Sequence, residues 1–158
     1  MKKETSILLA LSTTILLAVP MAHAGDSPSN IVVLTPEQIQ WVPNPRVEGL
    51  GAAQILGKSK EAGPYIHRVR FPKGRIVQAH SHPDDRTYTV LSGTWYIGWG
   101  DVYDESKLTA LPPGSFYTEP AGVPHFIATL DSETIVQVTG MGPTAATFVN
   151  PDHAQKKK

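Results

Sequence analysis

His80 and His82 stand one residue apart, and the stretch they open, which runs to Gly93, continues as an alternating run of strand-formers. Side chains two residues apart leave an extended chain on the same face, so the two imidazoles project together. Imidazoles offered side by side can chelate a first-row divalent ion. An H-x-H pair is common by chance, so the weight falls on its companions. A third histidine, His125, stands just after the Pro120-Ala121-Gly122 turn and opens a strand-like run to Leu130. The chain has no cysteine, which restricts any metal to nitrogen and oxygen donors and excludes both thiolate zinc clusters and thiol nucleophiles. No G-x-S-x-G elbow, phosphate-cradling P-loop or G-x-G-x-x-G after a strand occurs.

Strands must carry these residues. Fourteen prolines and thirteen glycines punctuate the 158 residues, with turn signals every ~8–12 residues and no long helical period. We read a short apolar strand at Ile31 to Leu34, a helix start at Thr35-Pro36-Glu37-Gln38 with Thr35 as cap, and strands within Val47 to Leu56, Tyr65 to Phe71, Arg75 to His82, Thr94 to Trp99, Phe116 to Glu119, His125 to Leu130 and Ile135 to Thr139. A final extended piece lies around Ala146 to Val149. Asp101 to Leu108 reads as a short helical excursion with Asp104 as its cap. In Tyr65 to Phe71 the face bearing Tyr65, His67, Val69 and Phe71 is expected to point inward. Trp95, Trp99, Phe116 and Phe126 read as core filling. The whole is the pattern of an all-β antiparallel sandwich or barrel, one domain without internal repeat.

Three segments are expected. Residues 1–24 read as a secretory signal peptide: Lys2 and Lys3, the apolar run Ile7 to Val19, then Pro20 and Ala22-His23-Ala24 as the cleavage site. The apolar run is shorter than the ~20 residues needed to span a bilayer. Residues 25–150 form the barrel domain, and residues 151–158 a polar tail ending in Lys156 to Lys158. The expected location is periplasmic or secreted, after cleavage following Ala24. Fourteen Lys and Arg balance fourteen Asp and Glu, so no basic stripe argues for nucleic acid, and no amphipathic stretch argues for a membrane.

Two spaced motifs give a more specific reading. The first is Gly74-x5-His80-x-His82-x3-Arg86-x6-Gly93, the second Gly114-x5-Pro120-x-Gly122-x2-His125-x3-Thr129. Together they closely resemble the paired motifs of the cupin superfamily. The resemblance covers residues 74 to 129 and implies a single cupin-type jelly-roll β-barrel with one or two short helical turns. In that family two hairpins bring the ligands of one metal into a small barrel, which implies a site on His80, His82 and His125 at the bottom of a small-molecule pocket. Iron, manganese, nickel, copper and zinc all suit such donors. The glycines fall where the chain turns tightly and φ is expected to be positive.

The departures from the family pattern matter as much. Arg86 stands where the family usually has a glutamate, and Thr129 where it often has an asparagine. A guanidinium stays protonated and cannot coordinate a cation. Three readings remain open. Arg86 clamps a substrate carboxylate beside a three-histidine metal; or His67, Asp84 or Asp85 replaces the missing glutamate; or the metal site has decayed and the pocket binds a small anion through Arg86 and the histidines. Arg86 and Tyr88, on one strand face, are the candidate catalytic residues. Asp84 and Asp85 otherwise read as solvated turn residues. Glu119 reads as a surface carboxylate beside the Pro120 turn, with a base or rescue-ligand role as the alternative. Dioxygenation, isomerisation or decarboxylation of a small anionic substrate is what the resemblance implies, against a non-catalytic periplasmic binding or sensing protein. A barrel with open edges is also expected to pair as a homodimer.

Overall fold

β-Branched and aromatic residues recur at alternate positions between glycine and proline turns, and strands form on that pattern. The computed structural model describes residues 31–153. Among them are strands β1 (Val42–Pro43), β2 (Gly51–Leu56), β3 (Gly63–Phe71), β4 (Arg75–Ser81), β5 (Arg86–Ser92), β6 (Trp95–Trp99), β7 (Thr109–Leu111), β8 (Phe116–Glu119), β9 (His125–Thr129), β10 (Thr134–Gly142) and β11 (Thr147–Phe148). Every pairing is antiparallel. One sheet runs β1-β2-β3-β10-β5-β8 and the other β11-β4-β9-β6-β7, the two-sheet arrangement of a jelly roll. The expected signal peptide and the end of the tail lie outside the described residues.

Three 3-10 turns, Pro36–Gln38, Glu105–Lys107 and Pro151–His153, are the helical elements among the described residues. The first has the expected start chemistry, with the Thr35 N–H donating to Gln38 Oε1 at 2.8 Å. In the second, Asp104 accepts from the Ser106 N–H at 3.0 Å, the cap that its position suggested. No described helix is long and apolar enough to cross a membrane.

One local expectation needs correction, and one strand was not expected. Ile31 to Leu34 is not a strand: the run is exposed and unpaired, because β-branched residues make a strand only where a neighbour takes up their N–H and C=O groups. Thr109 to Leu111, by contrast, is strand β7, recruited by the free edge of β6.

Between the sheets lies a core of Tyr65, Tyr88, Val90, Trp95, Ile97, Ile127, Val136 and Val138. Motif glycines Gly74, Gly93, Gly114 and Gly122 all have positive φ, as their turns require. Gly93 is the tightest: a Cβ there would collide with the Glu133 carbonyl. Gly98 has a different task. It faces Phe126 across the β6–β9 pair, and the fully buried Phe126 ring occupies the space where a side chain at 98 would stand. His125, the residue directly before Phe126, opens the same strand, so the packing also fixes where the site begins. Phe116 and Trp99 are not core residues; they are 60% and 41% exposed. Phe116 takes the outward phase of the edge strand β8, whose inward phase carries Tyr117 and Glu119, and Trp99 sits at the end of β6.

Candidate metal centre

Register brings the histidines together. His80, near the end of β4, is paired directly with His125 at the start of β9, and His82 follows one residue beyond β4. Ring centroids are 4.4 Å apart for His80 and His125, 5.0 Å for His80 and His82, and 5.4 Å for His82 and His125. One ligand atom from each lies within 4.8 Å of the others, an arrangement able to hold a metal ion.

Each ring is oriented by a backbone carbonyl. Nδ1 of His80 lies 2.8 Å from Gln78 O, Nδ1 of His82 2.7 Å from Ala145 O, and Nδ1 of His125 3.1 Å from Val123 O. A carbonyl oxygen only accepts, so Nδ1 must carry the proton in all three. The neutral ring then leaves Nε2 bare, the state a metal ligand needs, with the carbonyl contact fixing tautomer and direction. Burial pushes the pKa of His80 and His125 down to about 4. Burial and then the Arg86 charge push His82 down to about 2. At neutral pH the three rings are uncharged donors. The donor set fits a divalent transition metal.

Arg86 points inward and is 5% exposed. Its partner is Glu119, only 2% exposed and directly opposite across the β5–β8 pair. Nε of Arg86 donates to Glu119 Oε2 at 3.0 Å, and Nη2 donates to the same oxygen. Burial opposes the charge on Arg86, but the Tyr88 oxygen and the Glu119 carboxylate outweigh it, and its pKa is raised. Nη2 also donates to Tyr88 Oη. Tyr88 stacks on Tyr117 with centroids 4.8 Å apart, and Trp95 Nε1 donates to Tyr117 Oη at 3.0 Å. Burial holds both tyrosine hydroxyls protonated, with pKa values well above the usual. Glu119 is therefore not a surface residue beside a turn. The signal that could have found it is charge balance: an arginine inside a barrel demands an anion, and Glu119 is the glutamate of the second motif's strand.

The other candidates sort differently. His67 lines the same cavity on the inward face of β3, stacked on Tyr65 at 5.2 Å, but is not among the clustered ligands; burial lowers its pKa to about 4. Asp84 is buried, not a solvated turn residue: it accepts from Tyr65 Oη at 2.7 Å and from the Thr144 hydroxyl. Asp85 remains exposed and accepts from the Ala121 N–H at 2.8 Å, pinning the turn before His125. Thr129 is buried and donates to Pro72 O at 2.6 Å. The cavity is about 170 Å³, polar where the histidines, Arg86 and Glu119 meet and apolar along Val69, Phe71, Val77, Ile127 and Val136.

A strap that sequence reasoning left without a role completes the site. Residues 143–149 supply the Ala145 carbonyl to His82, pair Phe148 with His80, and lay the Phe148 ring 5.4 Å from that imidazole. The strap is moored by Thr144 on buried Asp84. Thr144→Val should therefore weaken metal binding by about 10–100-fold through the misplaced His82, while Thr144→Ser retains wild-type affinity. Chelator competition on metal-stripped protein measures both; equal affinity in all three would detach the strap from the site.

Comparison with known proteins agrees with this architecture. A family model described as "ChrR Cupin-like domain" matches residues 29–145. No curated protein matches the chain. Among solved structures, the chain is similar to the DMSP lyase DddQ from Ruegeria pomeroyi DSS-3, at 19% identity and TM-score 0.59 over 79% of this chain and 74% of that one. It is similar to the polyketide cyclase RemF from Streptomyces resistomycificus, at 15% identity and TM-score 0.60 over 78% and 89%. A third likeness is to the Fe(II) form of HppE, at 14% identity and TM-score 0.53 over 72% and 62%. At these identities the likeness establishes the fold and nothing finer.

Proposed function

The chain belongs to the ChrR cupin-like domain family, and from that premise we propose that it is a metal-dependent enzyme acting on a small anionic molecule inside the barrel. His80, His82 and His125 would hold one divalent transition-metal ion. The observation that carries this reading is the convergence of the three rings: each Nδ1 faces a backbone carbonyl, and one ligand atom of each ring lies within 4.8 Å of the others. Three neutral rings brought together out of solvent cost desolvation that a cation at their centre offsets.

Bound there, such an ion supplies Lewis-acid polarisation of a substrate oxygen and the open positions that oxygenase, isomerase or decarboxylase chemistry requires. The remaining work belongs to the chain. Arg86 and Glu119 cancel one another, so a divalent ion would leave the site with net positive charge, which favours a substrate carrying an anionic oxygen. Arg86 itself is already matched, and this removes it as a free clamp for a carboxylate and weakens the alternative of a metal-free anion binder. Its part is to hold Glu119 and Tyr88 in place. Tyr88 lines the polar end of the cavity with its proton held and can donate to a developing negative charge, while Tyr117 stacks behind it. The apolar wall sheds water from the bound molecule. The same proposal places the protein outside the cytoplasm after loss of residues 1–24, as a homodimer.

Metal-stripped protein titrated separately with Fe(II), Mn(II), Ni(II), Cu(II) and Zn(II) tests the reading. The expected result is one ion per chain, with sub-micromolar affinity for at least one of these metals. Absence of binding for all five would end the metalloenzyme reading.

A further inference from the structure

We propose that His67 is the substrate-contacting group on the wall opposite the histidine cluster, and that it selects a small acid with a carbonyl or hydroxyl at the end away from its anionic group. The inference rests on the metal-dependent reading above and deepens it, naming a class of substrate and a residue that recognises it.

Among the polar side chains that line the cavity, His67 is the exception in its bonding. His80, His82 and His125 each face a backbone carbonyl. Arg86 donates to Glu119 and to Tyr88, and Trp95 donates to Tyr117. Among the described residues, none makes a hydrogen bond to either ring nitrogen of His67, whose ring is held instead by stacking on Tyr65, with centroids 5.2 Å and planes 18° apart. Neither nitrogen is among the atoms sealed from solvent without a partner, so both open onto the cavity that the ring lines. Polar groups inside a fold are paired with few exceptions. An interior ring whose nitrogens are left to the cavity is paired by whatever enters it.

Position and charge decide what that is. His67 lies on β3 in one sheet, and the cluster is carried by β4 and β9 in the other; facing sheets stand ~10 Å apart. Val138 pairs with His67 on one side and with Tyr88 on the other. The two polar side chains thus stand two strands apart, ~10 Å, with an apolar residue between them. Burial and then the Arg86 charge lower the pKa of His67 to about 4. At neutral pH the ring therefore offers one N–H and one lone pair, which suit a carbonyl or a hydroxyl and do not compete for the anionic end. Size sets the remaining limit. The cavity is about 170 Å³, and one of ~150 Å³ accepts benzene, so the molecule is a short-chain oxo or hydroxy acid.

Calorimetric titration of the full-length protein, loaded with the tightest-binding of the five ions above, provides the test. The probes are 4-oxopentanoate and 4-methylpentanoate, acids of one shape in which a methyl group replaces the ketone oxygen. Wild type should favour the oxo acid by about fivefold or more, the worth of one hydrogen bond. His67→Phe keeps a ring to stack on Tyr65 and should lose that preference. His67→Gln keeps a donor and an acceptor and should retain it, which a purely packing role for the ring would not allow. A wild type that takes up metal yet binds both acids alike, or neither, would overturn the assignment and leave the metal centre standing. So would His67→Phe with the wild-type preference intact. A wild type that takes up none of the five ions removes the metal centre, and this inference falls with it.

Discussion

His80→Ala/His82→Ala is expected to lose roughly 10³-fold or more in affinity for divalent metal. A structural zinc site of four protein ligands is worth about 10–16 kcal/mol, or about 2.5–4 kcal/mol for each ligand. Loss of two therefore removes about 5–8 kcal/mol, and every 1.4 kcal/mol is a factor of about ten. The effect has a second readout in thermal stability. Metal at a hundred times its dissociation constant stabilises a folded chain by about 2.7 kcal/mol, so wild-type protein should melt higher when metal is added and the variant should not. Without metal the two proteins should melt within a few degrees of each other, because neither substitution touches the core of Val90, Trp95, Ile97 and Val136 between the sheets. A variant that still gained thermal stability from metal to the wild-type extent would place the ion away from these rings.

How far the amino-acid order could be read is uneven, and the unevenness has physical causes. Strand positions followed from the two-residue period and the turn residues, and both motifs came through because glycine with positive φ and proline at a turn are local requirements. His80 and His82 were legible for the same reason, being two apart on one face. The Arg86–Glu119 pair was not, since it depends on register across strands separated by the whole of β6 and β7. Period alone says that Glu119 shares a face with Tyr117; it does not say which face, and the exposed Phe116 beside them made an apolar inward face the natural choice. Asp84 failed differently. A carboxylate after proline usually sits in a solvated turn, but Tyr65 from β3 and Thr144 from the strap close over it, contacts 19 and 60 residues distant along the chain. Long-range polar closure of this kind leaves no local pattern to read.

These missed contacts share a purpose. Three carbonyls orient the histidines, an arginine orients a glutamate, and a buried aspartate moors the strap that carries one of those carbonyls. Groups around the cluster are thus held by hydrogen bonds whose partners come from β3, β5, β8 and the strap, and not from β4 and β9 alone. Rigid support from several strands is what keeps donor atoms in place through substrate binding.

The second large effect concerns that support. Arg86→Leu should destabilise the metal-free protein by about 3–5 kcal/mol, the cost of leaving one member of a buried ion pair alone. Glu119 is sealed at 2% exposure, so water cannot replace the guanidinium that now donates twice to Oε2. Removing both charges is a different matter. In Arg86→Leu/Glu119→Leu no charge is left buried, and apolar replacement of a whole pair is often close to neutral; most of the lost stability should return, less what the freed Tyr88 and Tyr117 hydroxyls cost. Urea unfolding of wild type and of both variants, all metal-free, measures the difference. Equal stability of wild type and Arg86→Leu without metal would show that the ion pair does not hold this end of the barrel together.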